Sequence, residues 1–250
     1  MTATEVADWV GLEPESEVIV RLEAVSKVYA TGALAVRALH DVTLTINRGE
    51  YVAVVGPSGS GKSTLMNILG CLDVVTDGRY WLNGIDVEDM SEAELAVVRN
   101  QQIGFVFQQF NLLPSLSALR NVELPLCYAG RPRQERRDRA LRALDRVGLA
   151  DRVDHRPAEL SGGQQQRVAM ARALVTEPAL ILADEPTGNL DSRSSEDVMS
   201  VLAELNAAGR TIVLITHDHG IAQNAHRTLS VLDGVVRSDA EHEPPVLPAP

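Results

Sequence analysis

Several residue types are scarce in this chain, and each shortage excludes a class of structure or function. The 250 residues include two cysteines, Cys71 and Cys127, at no spacing typical of a metal site, so we expect both to be buried as small hydrophobic residues. No apolar run approaches the roughly 20 residues that cross a bilayer. The acidic N-terminus lacks the basic start of a signal peptide. These absences predict a soluble, cytoplasmic protein.

Positive charge is also short, and the deficit is concentrated at the two ends. The formal net charge is −11, and residues 1–17 and 238–250 together carry eight acidic side chains with no lysine or arginine. We predict a mobile acidic extension at 1–17 and a disordered, proline-rich tail at 238–250. The body is near neutral, which argues against a nucleic-acid partner. The arginines of 133–147 alternate with acids and lack aromatic neighbours, which indicates a solvated helix face.

Lysine is the scarcest basic residue: of the 23 lysines and arginines in the sequence, two are lysines, Lys27 and Lys62. Lys62 lies in residues 56–63, which match the phosphate-binding pattern G-x-x-x-x-G-K-[ST] between an apolar run and a predicted helix. In such a loop, backbone N–H groups wrap a phosphate, the lysine reaches the β and γ oxygens, and Ser63 offers its hydroxyl to Mg²⁺. We therefore assign nucleotide binding to Gly56, Pro57, Ser58, Gly59, Ser60, Gly61, Lys62, Ser63 and Thr64.

Hydrophobic patterning predicts an α/β fold with two kinds of strand. Residues 18–29 and 34–46 alternate apolar and polar side chains, as half-buried strands do. Residues 179–183 and 211–216 are continuous apolar runs, which indicate a parallel sheet covered on both faces. Residues 91–165 change character and predict an inserted, mostly helical lobe.

Two further stretches carry candidate chemistry. The apolar run before Asp184 predicts a strand that ends in two carboxylates, of which Asp184 would hold magnesium and Glu185 would polarise the attacking water. Residues 161–164 have the form of a capping box, with Ser161 at the N-cap and Gln164 three residues later. Taken alone, this second stretch fits an ordinary helix start as well as a phosphate-binding helix end.

The order and spacing of these stretches resemble a known family. Residues 160–164, Leu-Ser-Gly-Gly-Gln, match the signature of ATP-binding cassette (ABC) ATPases, and the other family motifs follow in order across residues 19–237. The resemblance implies a P-loop NTPase core of the ABC ATPase type, with an antiparallel β subdomain and an inserted helical subdomain. It places the ATP-binding domain at 18–237 and the helical subdomain at about 91–165.

The resemblance also assigns residues to the nucleotide. Tyr29 is similar to the aromatic residue that stacks on adenine. Gln108 is similar to the Q-loop glutamine that contacts Mg²⁺ and water and links the core to the helical lobe. His217 follows the second apolar run and resembles the histidine that contacts the γ-phosphate. The residues added to nucleotide binding in this way are Tyr29, Gln108, Ser161, Gly162, Gly163, Gln164, Asp191 and His217.

Asp191 comes from the D-loop, where the match is incomplete. The preceding Gly188-Asn189 departs from the commoner Ser-Ala. Within this stretch, the resemblance therefore assigns a role to Asp191 alone. The residues that the resemblance assigns to catalysis are Glu185, His217, Lys62 and Gln108. Those assigned to Mg²⁺ are Ser63, Gln108 and Asp184.

Finer features resemble one branch of the family. Residues 70–73, 107–114 and 121–126 are similar to the MacB/LolD/FtsE group, which serves macrolide export, lipoprotein release and cell division. The resemblance implies ATP and Mg²⁺ as cofactors, a homodimer on ATP binding, and a separate permease of the FtsX or MacB type. That permease would hold the subunit at the inner face of the cell membrane. Residues 109–127 are unusually apolar for a loop-rich segment and are the expected docking surface.

Two alternatives to a transporter subunit stay open. One is the same motor without cargo, as a mechanotransmission ATPase in a cell-division or antibiotic-sensing complex, which the sequence does not separate from an exporter. The other is a soluble ABC ATPase that acts on ribosomes or DNA. It is disfavoured because the chain has one cassette and no heptad array.

Overall fold

The computed structural model describes residues 17–31 and 34–241, which form two β-sheets and the helices around them. The strands are β1 (Val18–Thr31), β2 (Leu34–Asn47), β3 (Tyr51–Val55), β4 (Asp77–Leu82), β5 (Ile85–Asp86), β6 (Ile103–Phe107), β7 (Leu180–Asp184), β8 (Thr211–Ile215), β9 (Arg227–Leu232) and β10 (Val235–Glu241). The α-helices are α1 (Lys62–Leu69), α2 (Glu92–Gln102), α3 (Ala118–Tyr128), α4 (Arg133–Arg146), α5 (Gly162–Leu174), α6 (Ser192–Ala207) and α7 (His219–Ala222). Two short 3₁₀ turns lie between α4 and α5, at Ala150–Arg152 and Pro157–Glu159.

The first sheet is antiparallel, with the strand order β2-β1-β4-β5. Where its strands alternate regularly, one face is buried, so that Val20 and Leu22 of β1 face the core while Arg21 between them is exposed. Val20 pairs with Ile46 of β2, and Leu22 pairs with Leu44. This sheet is the antiparallel subdomain that the resemblance implied, and it confirms the two strands predicted from alternation.

The second sheet has the order β10-β9-β3-β8-β7-β6, in which β10 is antiparallel to β9 and the other neighbours are parallel. Every residue of β3 and of β8 is buried. One face packs with α1, α2 and the antiparallel sheet, and the other packs with α3 to α6. Because the parallel strands run in one direction, residues 56–63, 184–185 and 216–217 leave them at the same edge.

The region predicted as a helical lobe, residues 91–165, begins with elements of the main body. Ser91 caps α2 and forms a capping box with Glu94, but this helix buries Leu95 and Val98 in the core cluster that contains α1. Strand β6 then pairs with β7 in the second sheet. Apolar periodicity does not show which surface a helix covers, and α3, which begins at Ala118, is the first helix packed on α4 and α5. Within the described ranges, no helix combines the length and apolarity needed to cross a bilayer.

The acidic C-terminus is partly ordered, contrary to the prediction of a disordered tail from residue 238. Residues 238–241 continue β10 and pair with β9. Arg227 of β9 donates to both carboxylate oxygens of Asp239 at 2.6 Å, and these hydrogen bonds lower the pKa of Asp239. The acid is therefore part of the sheet edge. Residues 1–16 and 242–250, the remainder of the two predicted acidic ends, lie outside the described residues.

The two cysteines differ in environment, although we expected both to be buried. Cys71 is buried, and burial raises the pKa of its thiol to about 12, so it packs as a neutral hydrophobic residue. Cys127 is exposed beside the exposed Tyr128. Cys127 and Tyr128 are in the last turn of α3 and face solvent. The spacing of the two cysteines in the sequence does not predict this exposure.

Candidate nucleotide site

The loop between β3 and α1 depends on glycines. Gly59 and Gly61 have φ angles of 78° and 107°, in the region that favours glycine. A Cβ added at Gly61 would lie 2.7 Å from the Ala38 carbonyl oxygen, so space as well as conformation excludes a side chain there. Gly61 is also the N-cap of α1, and no side chain in the described part of the chain caps this helix end. Its first amide groups and the helix dipole therefore suit a phosphate.

The turn between β9 and β10 supports the phosphate loop, a contact that the sequence motifs do not reveal. Gly234 donates its N–H to the Ser60 carbonyl oxygen at 2.8 Å and accepts from the His40 N–H at 2.8 Å. A Cβ at Gly234 would lie 2.6 Å from the Ala38 carbonyl oxygen. The phosphate loop is thus held between β2 and this turn. In the sequence, the dipeptide Asp233-Gly234 predicts the turn.

Lys62 lies across the same loop. Its Nζ donates to the carbonyl oxygens of Gly56 at 2.7 Å and Pro57 at 2.9 Å. A cleft of about 360 Å³ opens at this point, and its lining includes Gly59, Gly61, Lys62, Ser63 and Thr64. An ammonium group, hydroxyl oxygens and the open N-terminus of a helix form a donor set that fits a nucleotide phosphate with Mg²⁺.

Strand β7 ends in the two predicted carboxylates. Burial, followed by the neighbouring charge of Glu185, raises the pKa of Asp184, while Lys62 opposes this shift. A cation at this position would favour the ionised form of Asp184, which is the form that binds magnesium. Glu185 has a φ of 45°, and its N–H donates to the Ile215 carbonyl oxygen at 2.9 Å. This uncommon backbone conformation directs the carboxylate toward the end of β8.

The carboxylate of Glu185 meets His217, which lies just after β8. Glu185 Oε1 accepts from the His217 backbone N–H at 2.9 Å and lies 2.6 Å from His217 Nδ1. Thr216 Oγ1 donates to Glu185 Oε2 at 3.2 Å. The hydrogen bond to Glu185, and then its charge, raise the pKa of His217. Two residues assigned to catalysis from the sequence are therefore in direct contact.

Tyr29, the predicted adenine-stacking residue, is anchored through its hydroxyl. The hydroxyl donates to Asp73 Oδ2 at 2.8 Å, and Asp73 Oδ1 accepts from Lys27 Nζ at 2.5 Å. Lys27 Nζ also lies 5.0 Å from the centroid of the Tyr29 ring, which occupies one side of the ring. Thr64 is a second hydrogen-bond partner of the hydroxyl. The sequence motifs do not identify Asp73 or Lys27 as residues that support the site. The scarcity of lysine is a signal that could have drawn attention to Lys27.

Gln108 follows β6 and contacts the loop after β7. Its Nε2 donates to Asn189 Oδ1 at 3.4 Å, and Asn189 Nδ2 donates to the Gln108 carbonyl oxygen at 3.0 Å. A Cβ added at Gly188 would lie 2.6 Å from Gln108 Nε2. The dipeptide Gly188-Asn189, which departs from the commoner Ser-Ala, is therefore matched in size and polarity to this glutamine.

The signature residues begin helix α5 beside the start of α6. Ser161 caps α5 and forms the predicted capping box with Gln164. A Cβ at Gly163 would lie 2.7 Å from Ser194 Oγ. Asp191 caps α6 by accepting from the N–H and the hydroxyl of Ser194, both at 2.9 Å, which lowers the pKa of Asp191. A second cleft, of about 590 Å³, lies at the end of β7, and Glu185 and His217 are in its lining. In the part of the chain that the structure describes, no signature residue lines this cleft or the cleft at the phosphate loop.

The fold and these clefts define a P-loop nucleotide-binding protein, in which one sheet edge presents a phosphate loop, an Asp-Glu pair and a histidine. Residues 39–188 match the family described as ABC transporter. The chain is 56% identical over 216 residues to an uncharacterized ABC transporter ATP-binding protein, YknY, of Bacillus subtilis (strain 168), covering 86% of this chain and 94% of the relative. The chain therefore belongs to the ABC transporter family and is an ABC ATPase cassette.

Two further relatives extend this comparison. The macrolide export ATP-binding/permease protein MacB of Brucella melitensis biotype 1 is 53% identical over 221 residues, which cover 88% of this chain and 34% of that protein. This chain thus spans about a third of the macrolide export relative. The solved dimeric structure of the cassette MJ0796 in a post-hydrolysis state, bound to ADP and Pi, has a TM-score of 0.81 at 46% identity, covering 89% of this chain and 98% of that one. These similarities confirm the predicted fold class and the expected family branch.

Proposed function

We propose that two copies of this chain close around two ATP molecules and thereby move a membrane permease of the MacB or FtsX type, from the inner face of the membrane. The observation that carries the proposal is the position of the signature residues away from the cleft at the phosphate loop. The glycine-rich start of α5 is a second phosphate-binding helix end, and a second copy can present it to the nucleotide. Similarity to a cassette described as dimeric supports this arrangement, and similarity to a protein named for macrolide export favours a transporter over a motor without cargo.

The chemistry of this site rests on positioning and on charge. Ser63, Gln108 and Asp184 would hold Mg²⁺, and Lys62 would hold the nucleotide phosphates. Bound Mg²⁺ supplies charge neutralisation at those phosphates. Glu185 acts as the base that orients water and accepts its proton. Glu185 accepts hydrogen bonds from the Thr216 hydroxyl and the His217 backbone N–H, which hold its carboxylate in place at the end of β8.

The groove beside β6 is the surface that best fits the permease. It has a volume of about 840 Å³, and its lining includes Leu72, Phe105 and Tyr128, of which Tyr128 is 79% exposed. Arg99 also lines the groove, with its guanidinium held by the Cys71 carbonyl oxygen at 2.6 Å. An apolar groove with exposed aromatic surface fits an amphipathic segment of a membrane protein.

The apolar residues of the expected docking surface, 109–127, divide into two groups. Leu119 and Leu126 are buried in the core cluster of the helical part. Leu113 is 46% exposed and Phe110 is half-buried. Leu113 is therefore the residue of this segment that we assign to the permease interface, whereas the buried leucines stabilise α3.

Replacement of Glu185 by Gln tests the proposed dimer. The amide cannot accept a proton from water, so turnover should fall at least about 100-fold while ATP binding persists. With saturating ATP, the variant should elute as a dimer in size-exclusion chromatography with light scattering. Glu177→Gln, at an exposed acid, is the matched control and should retain wild-type turnover. A Glu185→Gln protein that binds ATP and stays monomeric would contradict the proposal.

A further inference from the structure

The backbone of the loop after β6 is fixed from one side by helix α5. The wholly buried Gln166 donates its Nε2 to the Phe107 carbonyl oxygen at 3.3 Å. Arg172, on the same helix, donates to the carbonyl oxygens of residues 110–111 at 2.8 and 2.6 Å. Gln108 lies between these fixed points, so α5 determines where its backbone is. The orientation of its side chain depends on other contacts.

Asn189 determines which end of the Gln108 amide is engaged. The backbone carbonyl oxygen of Gln108 can only accept, so Asn189 must present Nδ2 to it, at 3.0 Å. This leaves Asn189 Oδ1 facing the Gln108 side chain. An acceptor in that place selects the amino end of the glutamine, and Gln108 Nε2 lies 3.4 Å from it. The order of donors and acceptors is therefore set by a main-chain group that cannot be reversed.

The Gln108 atom left free by this pairing is Oε1, which receives no hydrogen bond from any residue that the structure describes. Mg²⁺ takes oxygen ligands and does not bind an amide nitrogen. We propose that Asn189 is a positioning residue that orients the Gln108 amide so that Oε1 is presented to the metal. The inference rests on the proposed role of Gln108 as a magnesium ligand.

Gly188 provides an independent way to disturb the same amide. A Cβ there would lie 2.6 Å from Gln108 Nε2, so Gly188→Ala must push the amide away while Asn189 and its bond to the main chain remain. Gly188 does not have a positive φ that would strain an alanine. Asn189→Ala removes the acceptor instead. Positioning predicts that both variants have the same defect, whereas a role in holding the loop backbone predicts a defect in Asn189→Ala alone.

The test measures metal binding by the isolated subunit rather than turnover. Mn²⁺ is titrated by electron paramagnetic resonance in the presence of a non-hydrolysable ATP analogue, adenylyl-imidodiphosphate. Asn189→Ala and Gly188→Ala should each weaken Mn²⁺ binding about fivefold, the loss of one hydrogen bond to an oriented ligand. Metal-free binding of the analogue, measured in EDTA, should not change. The double variant should be no weaker than either single variant, because both act on one amide.

Two controls separate the possible failures. Gln109→Ala changes an exposed amide in the same loop and should bind Mn²⁺ like the wild type. Gln108→Ala should be at least as weak as the Asn189 and Gly188 variants. Unchanged Mn²⁺ binding in Gln108→Ala would remove the proposed metal role, and the positioning role with it. Weak binding in Gln108→Ala together with wild-type binding in Gly188→Ala would overturn the positioning role of Asn189 alone.

Discussion

The Asp73 carboxylate links the fold to Tyr29, the predicted adenine-stacking residue, and Asp73→Asn tests that link. The substitution keeps the side-chain shape but removes the charge that pairs with Lys27 and accepts from Tyr29. The side chains of Lys27 and Asp73 are 10% and 25% exposed, so the pair is largely desolvated. Loss of one partner of a buried pair costs about 3 kcal/mol, which we reduce to about 2 kcal/mol for the partial exposure of Asp73. The melting temperature should fall by about 6 °C.

The same carboxylate makes the difference in stability depend on pH. Burial opposes ionisation of Asp73, but hydrogen bonds from Lys27, Tyr29 and the Val74 N–H outweigh it and lower the pKa of Asp73. A carboxylate with a lower pKa in the folded state stabilises the fold fully above its unfolded pKa of about 4. This contribution is lost as the pH falls through the folded value. The gap between the melting temperatures of the wild type and Asp73→Asn should therefore narrow in acid.

Asp73→Asn should also weaken nucleotide binding, because the one acceptor oxygen of the amide faces Lys27 and the Val74 N–H, which leaves an amino group opposite the hydroxyl that anchors the Tyr29 ring. An aromatic contact contributes about 1 kcal/mol, so the affinity for a fluorescent ATP analogue should fall about fivefold at pH 7. Tyr29→Phe is the matched control: it keeps the ring and the Lys27–Asp73 pair, and it should melt close to the wild type. Wild-type melting and wild-type nucleotide affinity in Asp73→Asn would refute the anchoring argument.

Further predictions concern nucleotide binding, the proposed dimer interface and the proposed permease interface. Lys62→Ala should lower the nucleotide affinity of the isolated subunit by about tenfold or more, because a charged hydrogen-bond donor is lost. Ser161→Arg should preserve that affinity and abolish the ATP-dependent dimer, and an equal loss of binding in both variants would show that Ser161 does not act across the interface. In a pull-down with the co-expressed permease, Leu113→Glu should lose permease binding but keep basal ATPase activity. Leu119→Glu, at a buried site, should unfold. Retained permease binding with lost ATPase activity in Leu113→Glu would contradict the docking assignment.

The place of the site in the fold can be predicted from the sequence because it depends on strand ends. A continuous apolar run indicates a buried parallel strand, and the residue after it lies at a known edge of the sheet. Glu185 after β7 and His217 after β8 could therefore be expected close together. The contact of 2.6 Å between them depends on the register of the two strands, in which Asp184 lies opposite Ile215. No short motif encodes that register.

Boundaries are harder to predict because they depend on partners distant in the sequence. Asp239 looks like a residue of an acidic tail until Arg227, twelve residues earlier, pairs with it across β9 and β10. Helix α2 has the cap and periodicity of a lobe helix, yet Leu95 and Val98 pack into the main core. In both cases local composition is read correctly, and the tertiary contact decides the outcome.

The supports of the phosphate loop are the part of the site that residue patterns reveal least, since they are main-chain groups. The Ala38 carbonyl oxygen closes the space at both Gly61 and Gly234, and the Val231 carbonyl oxygen closes it at Gly56. Any residue at positions 38 and 231 would present the same carbonyl, so their side chains carry no sign of the contact. In the sequence, the glycines indicate this close packing. Position 61 requires glycine for two reasons, its positive φ and the lack of space for a Cβ. A glycine in this motif therefore reports close packing against β2 and the β9–β10 hairpin as well as phosphate binding, and a sequence pattern cannot separate these two reasons.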